Sequence, residues 1–301
     1  MSVLLHHSQT TSLIILLSSF FSLLKFVSCD SNSQNHPLHY IHHYCSQEYN
    51  LTDNPGFHDN VNILLSDLTS KSSGSSFYNS TAGDDREKVY ALYLCRGDIS
   101  SQVCHNCIDH AAQTLRENCT DFQDTTVYYE ECMFRYSNRS IFATEQELPF
   151  RFWCSVKKVS DNATGDFNQS LTKLMGWLVD KAAFGNTTPI HFSTGEANTK
   201  TGDNGTSWLY GLMQCTPDIT GSDCEKCLKA AIGSYQEFCA ERMWAMILAP
   251  SCQLRYNTSP FMKTEKPAMP KSSTDGRGKN YKSYVALATV VLLSTIFVVR
   301  A

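Results

Sequence analysis

The 301 residues contain no catalytic signature: no Gly-rich phosphate loop, no His-Arg-Asp or Asp-Phe-Gly pair, no G-x-S-x-G elbow and no H-E-x-x-H. Such patterns set a nucleophile, metal or phosphate against the groups that activate it, so their absence predicts a protein that is not an enzyme. Kinase activity is also expected to be absent, because the sequence ends at Ala301. Charge is scarce and scattered: 25 Lys and Arg against 29 Asp and Glu give a net of −4. The basic stripe of a nucleic-acid binder is missing, and no nucleic-acid partner is expected. Long apolar runs are missing as well. Val285 to Val299 spans 15 residues, and Leu13 to Val27 is interrupted by serines and Lys25.

What the sequence does have is cysteine, 13 in all. Cys95, Cys104, Cys107, Cys119 and Cys132 are separated by 8, 2, 11 and 12 residues, and Cys215, Cys224, Cys227, Cys239 and Cys252 repeat those spacings without an insertion. Each ladder has an upstream partner, Cys45 or Cys154. Crosslinked frameworks tolerate few length changes between bridged positions, so two sets of six indicate two copies of one disulfide-stapled domain.

The thirteenth cysteine, Cys29, closes a segment that reads as a cleaved secretory signal, residues 1–29. It has an apolar run, then the small residues that a signal peptidase accepts, although its start carries His6 and His7 and no Lys or Arg. Cutting after Cys29 leaves an even number of cysteines. Asn50, Asn79, Asn118, Asn138, Asn162, Asn168, Asn186, Asn204 and Asn257 each open an Asn-x-Ser/Thr triplet, which fits a glycosylated extracellular surface. Asn118 adjoins Cys119, where a closed bridge would hinder the transferase.

Periodicity supplies the elements. Val61, Leu64, Leu65 and Leu68 form a helical stripe after the capping candidates Asp59 and Asn60. Lys88 to Cys95 reads as a strand. Ser100 or Ser101 caps a second helix carrying Cys104 and Cys107, with Ile108, Ala111, Ala112 and Leu115 inward. Thr126 to Tyr136 and Ser140 to Thr144 read as strands. In the second copy, Phe167, Leu171, Leu174, Met175 and Leu178 form one helical stripe and Leu228, Ala231, Ile232 and Tyr235 another, with strands at Ser207 to Cys215 and Met243 to Tyr256. Helices on one face of an antiparallel sheet, twice over, is the α+β class. The linker, about Gln146 to Arg151, is short enough for the halves to touch.

The segments Leu94-Cys95-Arg96-Gly97-Asp98-Ile99-Ser100 and Glu131-Cys132-Met133-Phe134-Arg135-Tyr136-Ser137, with Cys215-Thr216-Pro217-Asp218-Ile219 and Pro250-Ser251-Cys252-Gln253-Leu254-Arg255-Tyr256, carry a resemblance. With the C-x8-C-x2-C core in both copies, the chain resembles the plant cysteine-rich domain family named after the ginkgo antifungal protein ginkbilobin. The likeness covers about Asn35 to Phe261. Tandem copies occur in cysteine-rich receptor-like kinases, cysteine-rich repeat secretory proteins and plasmodesmata-located proteins. The domain boundaries that follow are 35–145 and 150–261, then a polar linker, 262–284, and an apolar tail, 285–299.

The resemblance implies two helices on a five-stranded antiparallel sheet in each copy. It also implies the bridges Cys45 to Cys119, Cys95 to Cys104 and Cys107 to Cys132, then Cys154 to Cys239, Cys215 to Cys224 and Cys227 to Cys252. Each C-x2-C pair is thereby divided between two bridges, which disfavours a zinc knuckle or a redox motif, and no metal or cofactor is expected. Ginkbilobin binds mannose through an Asn after its first cysteine, an Arg before its last and a Glu five residues beyond. The matching positions here hold Ser46 and Ser155, then no Arg, then Ser137 and Asn257. Short neutral side chains do not reproduce charge-assisted hydrogen bonds to sugar hydroxyls, so mannose binding of that type is not expected.

His36, His39, His42 and His43 precede Cys45 and are read as an exposed, flexible lead-in rather than a metal site. Arg135-Tyr136 and Arg255-Tyr256 recur at one ladder position, for recognition or for packing. Trp153, Trp177, Trp208 and Trp244 are assigned to core packing in preference to sugar stacking. At the C-terminus, Val285 to Val299 spans about 22 Å as a helix, against the ~30 Å of a bilayer core. Small residues around Ser272 and Ser273, a polar spacer and an apolar tail fit a GPI attachment signal, the alternative being a single membrane span. The function expected is a membrane-tethered extracellular recognition module for an apoplastic protein, peptide or wall glycan, acting alone, as a dimer or as a co-receptor. The alternatives are a secreted carbohydrate-binding antifungal protein and a plasmodesmata-located or kinase-less receptor ectodomain.

Overall fold

The computed structural model describes residues 37–46, 55–119, 121–186, 190–202 and 206–262. The expected signal segment, Asn50, Asn204, Ser272, Ser273 and the expected apolar tail lie outside them. Two lobes repeat one plan. The first runs β1 (Tyr40–Cys45), α1 (Pro55–Lys71), β2 (Phe77–Ala82), β3 (Val89–Cys95), α2 (Ser101–Asn118), β4 (Asp124–Tyr129) and β5 (Cys132–Ser137). The second runs β6 (Arg151–Cys154), α3 (Thr164–Phe184), β7 (Phe192–Lys200), β8 (Thr206–Cys215), α4 (Gly221–Phe238), β9 (Trp244–Leu248) and β10 (Cys252–Asn257). Each lobe holds a five-stranded antiparallel sheet, ordered β1-β4-β5-β3-β2 and β6-β9-β10-β8-β7. This is the α+β architecture expected from the two stripes per copy.

Both helices of each lobe cover one sheet face. Phe57, Val61, Leu64, Leu65 and Leu68 of α1 and Ile108, Ala111, Ala112 and Leu115 of α2 are buried with Tyr93, Val127, Phe134 and Tyr136. Phe167, Leu171, Leu174, Met175 and Leu178 repeat this in the second core. There the approach of α3 to β8 is so close that a Cβ on Gly211 would lie 2.6 Å from Leu178 Cδ1. Ser100 caps α2, its Oγ accepting from Val103 N at 3.4 Å, and Thr220 caps α4 by accepting from Asp223 N at 3.1 Å.

The bridges fasten helix to sheet. Cys95–Cys104 joins the end of β3 to the first turn of α2, Cys107–Cys132 joins α2 to β5, and Cys45–Cys119 joins β1 to the end of α2. Cys215–Cys224, Cys227–Cys252 and Cys154–Cys239 do the same in the second lobe. A helix places residues three apart on one face, so Cys104 and Cys107 both turn toward the sheet and meet different strands.

Four local expectations need correction. Helix α1 begins at Pro55, so Asp59 and Asn60 lie inside it, and Asn60 Nδ2 instead donates to Glu87 O at 3.0 Å. Proline suits a first helical turn, where its missing N–H is not needed. Thr126 to Tyr136 is a hairpin of two strands turning at Glu130 and Glu131. Ser140 to Thr144 is not a strand but the crossover between lobes. Ile141 is buried there, Ala143 takes a φ of 49°, and Ala143 N donates to Asp218 Oδ2 at 2.9 Å. Within the histidine lead-in, His42 and His43 are not loose but stand in β1 opposite Tyr128 and Val127, while His36 lies outside the described residues.

The lobes pack through the sheet faces that the helices leave bare. Leu92, Leu94, Tyr128 and Met133 of the first sheet form one buried cluster with Ile141 and Leu248, flanked by Trp153 and Met246. Strand β3 is therefore apolar on both faces: Ala91 and Tyr93 meet the helices, and Leu92 and Leu94 meet the other lobe.

Candidate recognition surface

Polar groups cross the seam between the lobes. Gln214 Nε2 donates to Cys95 O at 3.0 Å, Gln253 Nε2 donates to Gln214 Oε1 at 3.1 Å, and Arg255 Nε donates to Gln253 Oε1 at 3.1 Å. Burial and the nearby Arg96 push the Arg255 guanidinium down to about 10, against the opposing pull of Glu130, Glu131 and Asp98. Arg96 is forked onto Asp98, at 2.6 and 3.2 Å, and also donates to Glu130 O. Arg151 donates from Nε to His42 Nε2 at 3.2 Å and lies over the Tyr44 ring. Burial, with Arg151 and His43 beside it, lowers the His42 pKa, so the neutral imidazole is favoured and can accept that bond. Two small clefts, of about 20 and 80 Å³, lie along the seam among the described residues. The hydrogen bonds from Gln214 to Cys95 and from Arg151 to His42 tie the two lobes together.

The corners matching the ginkbilobin sugar site are built differently in the two lobes. In the first, Ser46 N donates to Asp124 O at 2.9 Å and Asp124 pairs with Ser137, setting the three residues in a row across β1, β4 and β5. The Asp124 carboxylate lies 3.4 Å from Arg135 and 3.9 Å from Arg139. In the second, Ser155 N donates to Trp244 O and Trp244 pairs with Asn257, so an indole stands where the first corner has a carboxylate. Neither corner unites an Asn, an Arg and a Glu at the three sugar-binding positions.

Arg135 and Arg255 are both buried, Arg135 beside Asp124 and Arg255 in the seam. The tryptophans divide. Trp153 packs beside the seam and Trp244 lines one of its clefts. Trp177 and Trp208 are not core residues, each being 48% exposed. Trp177 lies over Gly195 on the helix side of β7, while Trp208, next to the inward Leu209, faces the opposite side of the β7–β8 hairpin. A polar groove of about 310 Å³ lies between the start of α3 and the end of the hairpin, lined by Asp166, Gln169, Ser170, Asn198 and Lys200, and neither indole lines it. Half-exposed indoles can bury against a protein or peptide, or stack on sugar rings.

Among the sequons, Asn162, Asn168 and Asn186 are exposed and Asn79 lies in the edge strand β2. Asn118 Nδ2 donates to Thr114 O, Asn138 Nδ2 donates to Gln123 Oε1, and Asn257 Oδ1 accepts from Ser259 N. Sequence reasoning did not single out Gln214 or Glu131. Their signal was available where the copies diverge inside a matched ladder, Leu94 against Gln214 and Glu131 against Ser251.

Comparison with known proteins agrees with this geometry. The family model described as Stress-antifung, salt stress response/antifungal, matches residues 44–139 and again 153–259. Putative cysteine-rich repeat secretory protein 7 of Arabidopsis thaliana is 33% identical, over 79% of this chain and 80% of that protein. Cysteine-rich receptor-like protein kinase 25 of the same plant is 32% identical over 89% of this chain, which spans only 41% of the kinase's length. Among solved structures, the tandem DUF26 ectodomain of the Arabidopsis thaliana cysteine-rich receptor-like protein PDLP8 superposes with a TM-score of 0.61 at 25% identity, covering 74% of this chain and 99% of that one. With two family matches lying on its two bridged lobes, the chain belongs to the Stress-antifung (DUF26) family as a tandem member.

Proposed function

We propose that the chain is a non-enzymatic extracellular recognition module of plant signalling or defence, binding an apoplastic protein, peptide or wall glycan, and that its C-terminal tail tethers it to the outer face of the plasma membrane. The observation that carries the reading is the half-exposure of two indoles, Trp177 and Trp208, on opposite faces of the β7–β8 hairpin in a lobe fixed by three bridges. Rigid presentation of aromatic area lowers the ordering cost of binding. The similarity to secretory and receptor-like proteins supports the compartment, and twelve paired cysteines require an oxidising one. Glycans are assigned to the exposed sequons, and the lipid to the region of Ser272 and Ser273.

One experiment addresses both parts. Membranes from plant cells expressing the full chain are treated with phosphatidylinositol-specific phospholipase C, and the released protein is titrated with mannose in a calorimeter. Release without measurable heat is expected. Retention on the membrane would favour a true span, and millimolar or tighter binding would restore the lectin reading.

A further inference from the structure

We propose that His39, Glu130 and Glu131 form a binding site for a divalent transition cation, Zn²⁺ being the best match, at the corner of the first lobe where the chain enters β1. His39 Nδ1 lies 3.3 Å from Glu131 Oε1 and 3.9 Å from Glu130 Oε2. One donor atom from each of the three residues falls within 4.8 Å of the others. Around tetrahedral zinc, with bonds of about 2.0–2.2 Å, neighbouring donor atoms sit roughly 3.3 Å apart. The imidazole and the Glu131 carboxylate already have that spacing. Glu130, with a half-exposed side chain, has to close by about 0.6 Å on the imidazole and by up to about 1.5 Å on Glu131, a movement within reach of one rotamer adjustment.

The main chain preorganises the three groups. His39 N donates to Glu131 Oε2 at 3.1 Å, and Glu130 N donates to His39 O at 2.8 Å, so the histidine is held from both sides by the hairpin that carries the two glutamates. The bond to Oε2 orients the Glu131 carboxylate as an outer-shell partner would, while Oε1 faces the imidazole. Glu131 is fully buried, whereas the His39 side chain is 54% exposed, which leaves a path for the ion and a water to complete the set.

The second lobe serves as an internal comparison. Counting from Cys45 to Cys154 and from Cys132 to Cys252, the matching positions are Leu148, Pro250 and Ser251, none of them a metal ligand. There the Ser251 hydroxyl accepts from Gln146 N at 2.9 Å and so fastens the incoming strand. A hydroxyl is enough for that structural task, and two carboxylates with an imidazole are more than it requires. The neighbouring histidines are engaged elsewhere, His42 with Arg151 and His43 with the Tyr40 hydroxyl, so the site draws on one histidine of the cluster. Arg96 and Arg255 lie close to the glutamates and oppose a cation, which makes the expected affinity moderate.

The test is calorimetric titration of the chelator-stripped, secreted chain with zinc chloride, alongside His39→Ala, Glu130→Gln and the control His110→Ala at an exposed position of helix α2. The expected result is a site in the parent chain, weakened about tenfold or more in the first two variants and unchanged in the control. Zinc should also raise the thermal midpoint of the parent and not of His39→Ala. Both variants leave Glu131 and its main-chain bond in place, so folding is preserved. No uptake by the parent, or equal uptake by His39→Ala, overturns the proposal and leaves the cluster as an ion pair.

Discussion

Replacing Cys45 and Cys119 together by alanine is expected to lower the stability of the first lobe by about 4 kcal/mol. The bridge spans 74 positions, and in the chain-entropy picture the loss of so large a closed loop restores much freedom to the unfolded chain. Removing Cys95 and Cys104, only 9 positions apart, should cost less in this respect, roughly 2.5 kcal/mol, and burial of Cys95, Cys104 and Cys119 adds a packing loss to both variants. A two-layer lobe of about 100 residues has a modest core, so a change of this size approaches its whole stability. Urea titration followed separately in each lobe provides the check. The first transition should move to lower denaturant in the order long loop, short loop, parent, while the second lobe holds its midpoint. If the short-loop variant were the weaker of the two, entropy would not be the dominant role of the long bridge.

The second large effect is at the seam. A Cβ on Gly97 would sit 2.5 to 2.8 Å from the ring of Phe192 in the other lobe, closer than real Cβ contacts come. Gly97→Leu is therefore expected to destabilise the joint by roughly 2–3 kcal/mol, the usual cost of overfilling a packed contact. Because the clash is with one ring, Phe192→Ala in the same chain should recover at least about 1 kcal/mol of it, a coupling that independent sites do not show. Thermal unfolding of the parent, both single variants and the double variant completes the cycle. Additive effects would mean that the lobes do not meet at this point.

Much of this fold was legible in the sequence, and the reasons are physical. The helical stripes of α1 to α4 and the β3 run stand out because burial of one helix face, or of both strand faces, demands apolar residues at fixed intervals. Strands β2 and β7 did not stand out. Their sequences, FYNSTA and FSTGEANTK, belong to sheet edges where few side chains are enclosed, so the alternation is weak. Strand β1 was obscured by its histidines, of which His42 meets Arg151 of the other lobe and His43 the Tyr40 hydroxyl of its own lobe. Trp177 and Trp208 read as core because size and apolarity predict burial, yet Trp177 stands on α3 over Gly195 and Trp208 on the other face of the β7–β8 hairpin, each half-exposed. The seam itself was visible in one place: Leu92 and Leu94 alternate with Ala91 and Tyr93 in a strand too apolar to have a wet face.

Twelve cysteines, from Cys45 to Cys252, close two equivalent three-bridge cages. Peptide mapping of the native protein by mass spectrometry, without reduction, tests this pairing most directly. The account predicts Cys95 linked to Cys104 and Cys107 to Cys132, their counterparts Cys215 to Cys224 and Cys227 to Cys252, and the long links Cys45 to Cys119 and Cys154 to Cys239. Free thiols, a Cys104 to Cys107 link, or any bridge from one lobe to the other would contradict it.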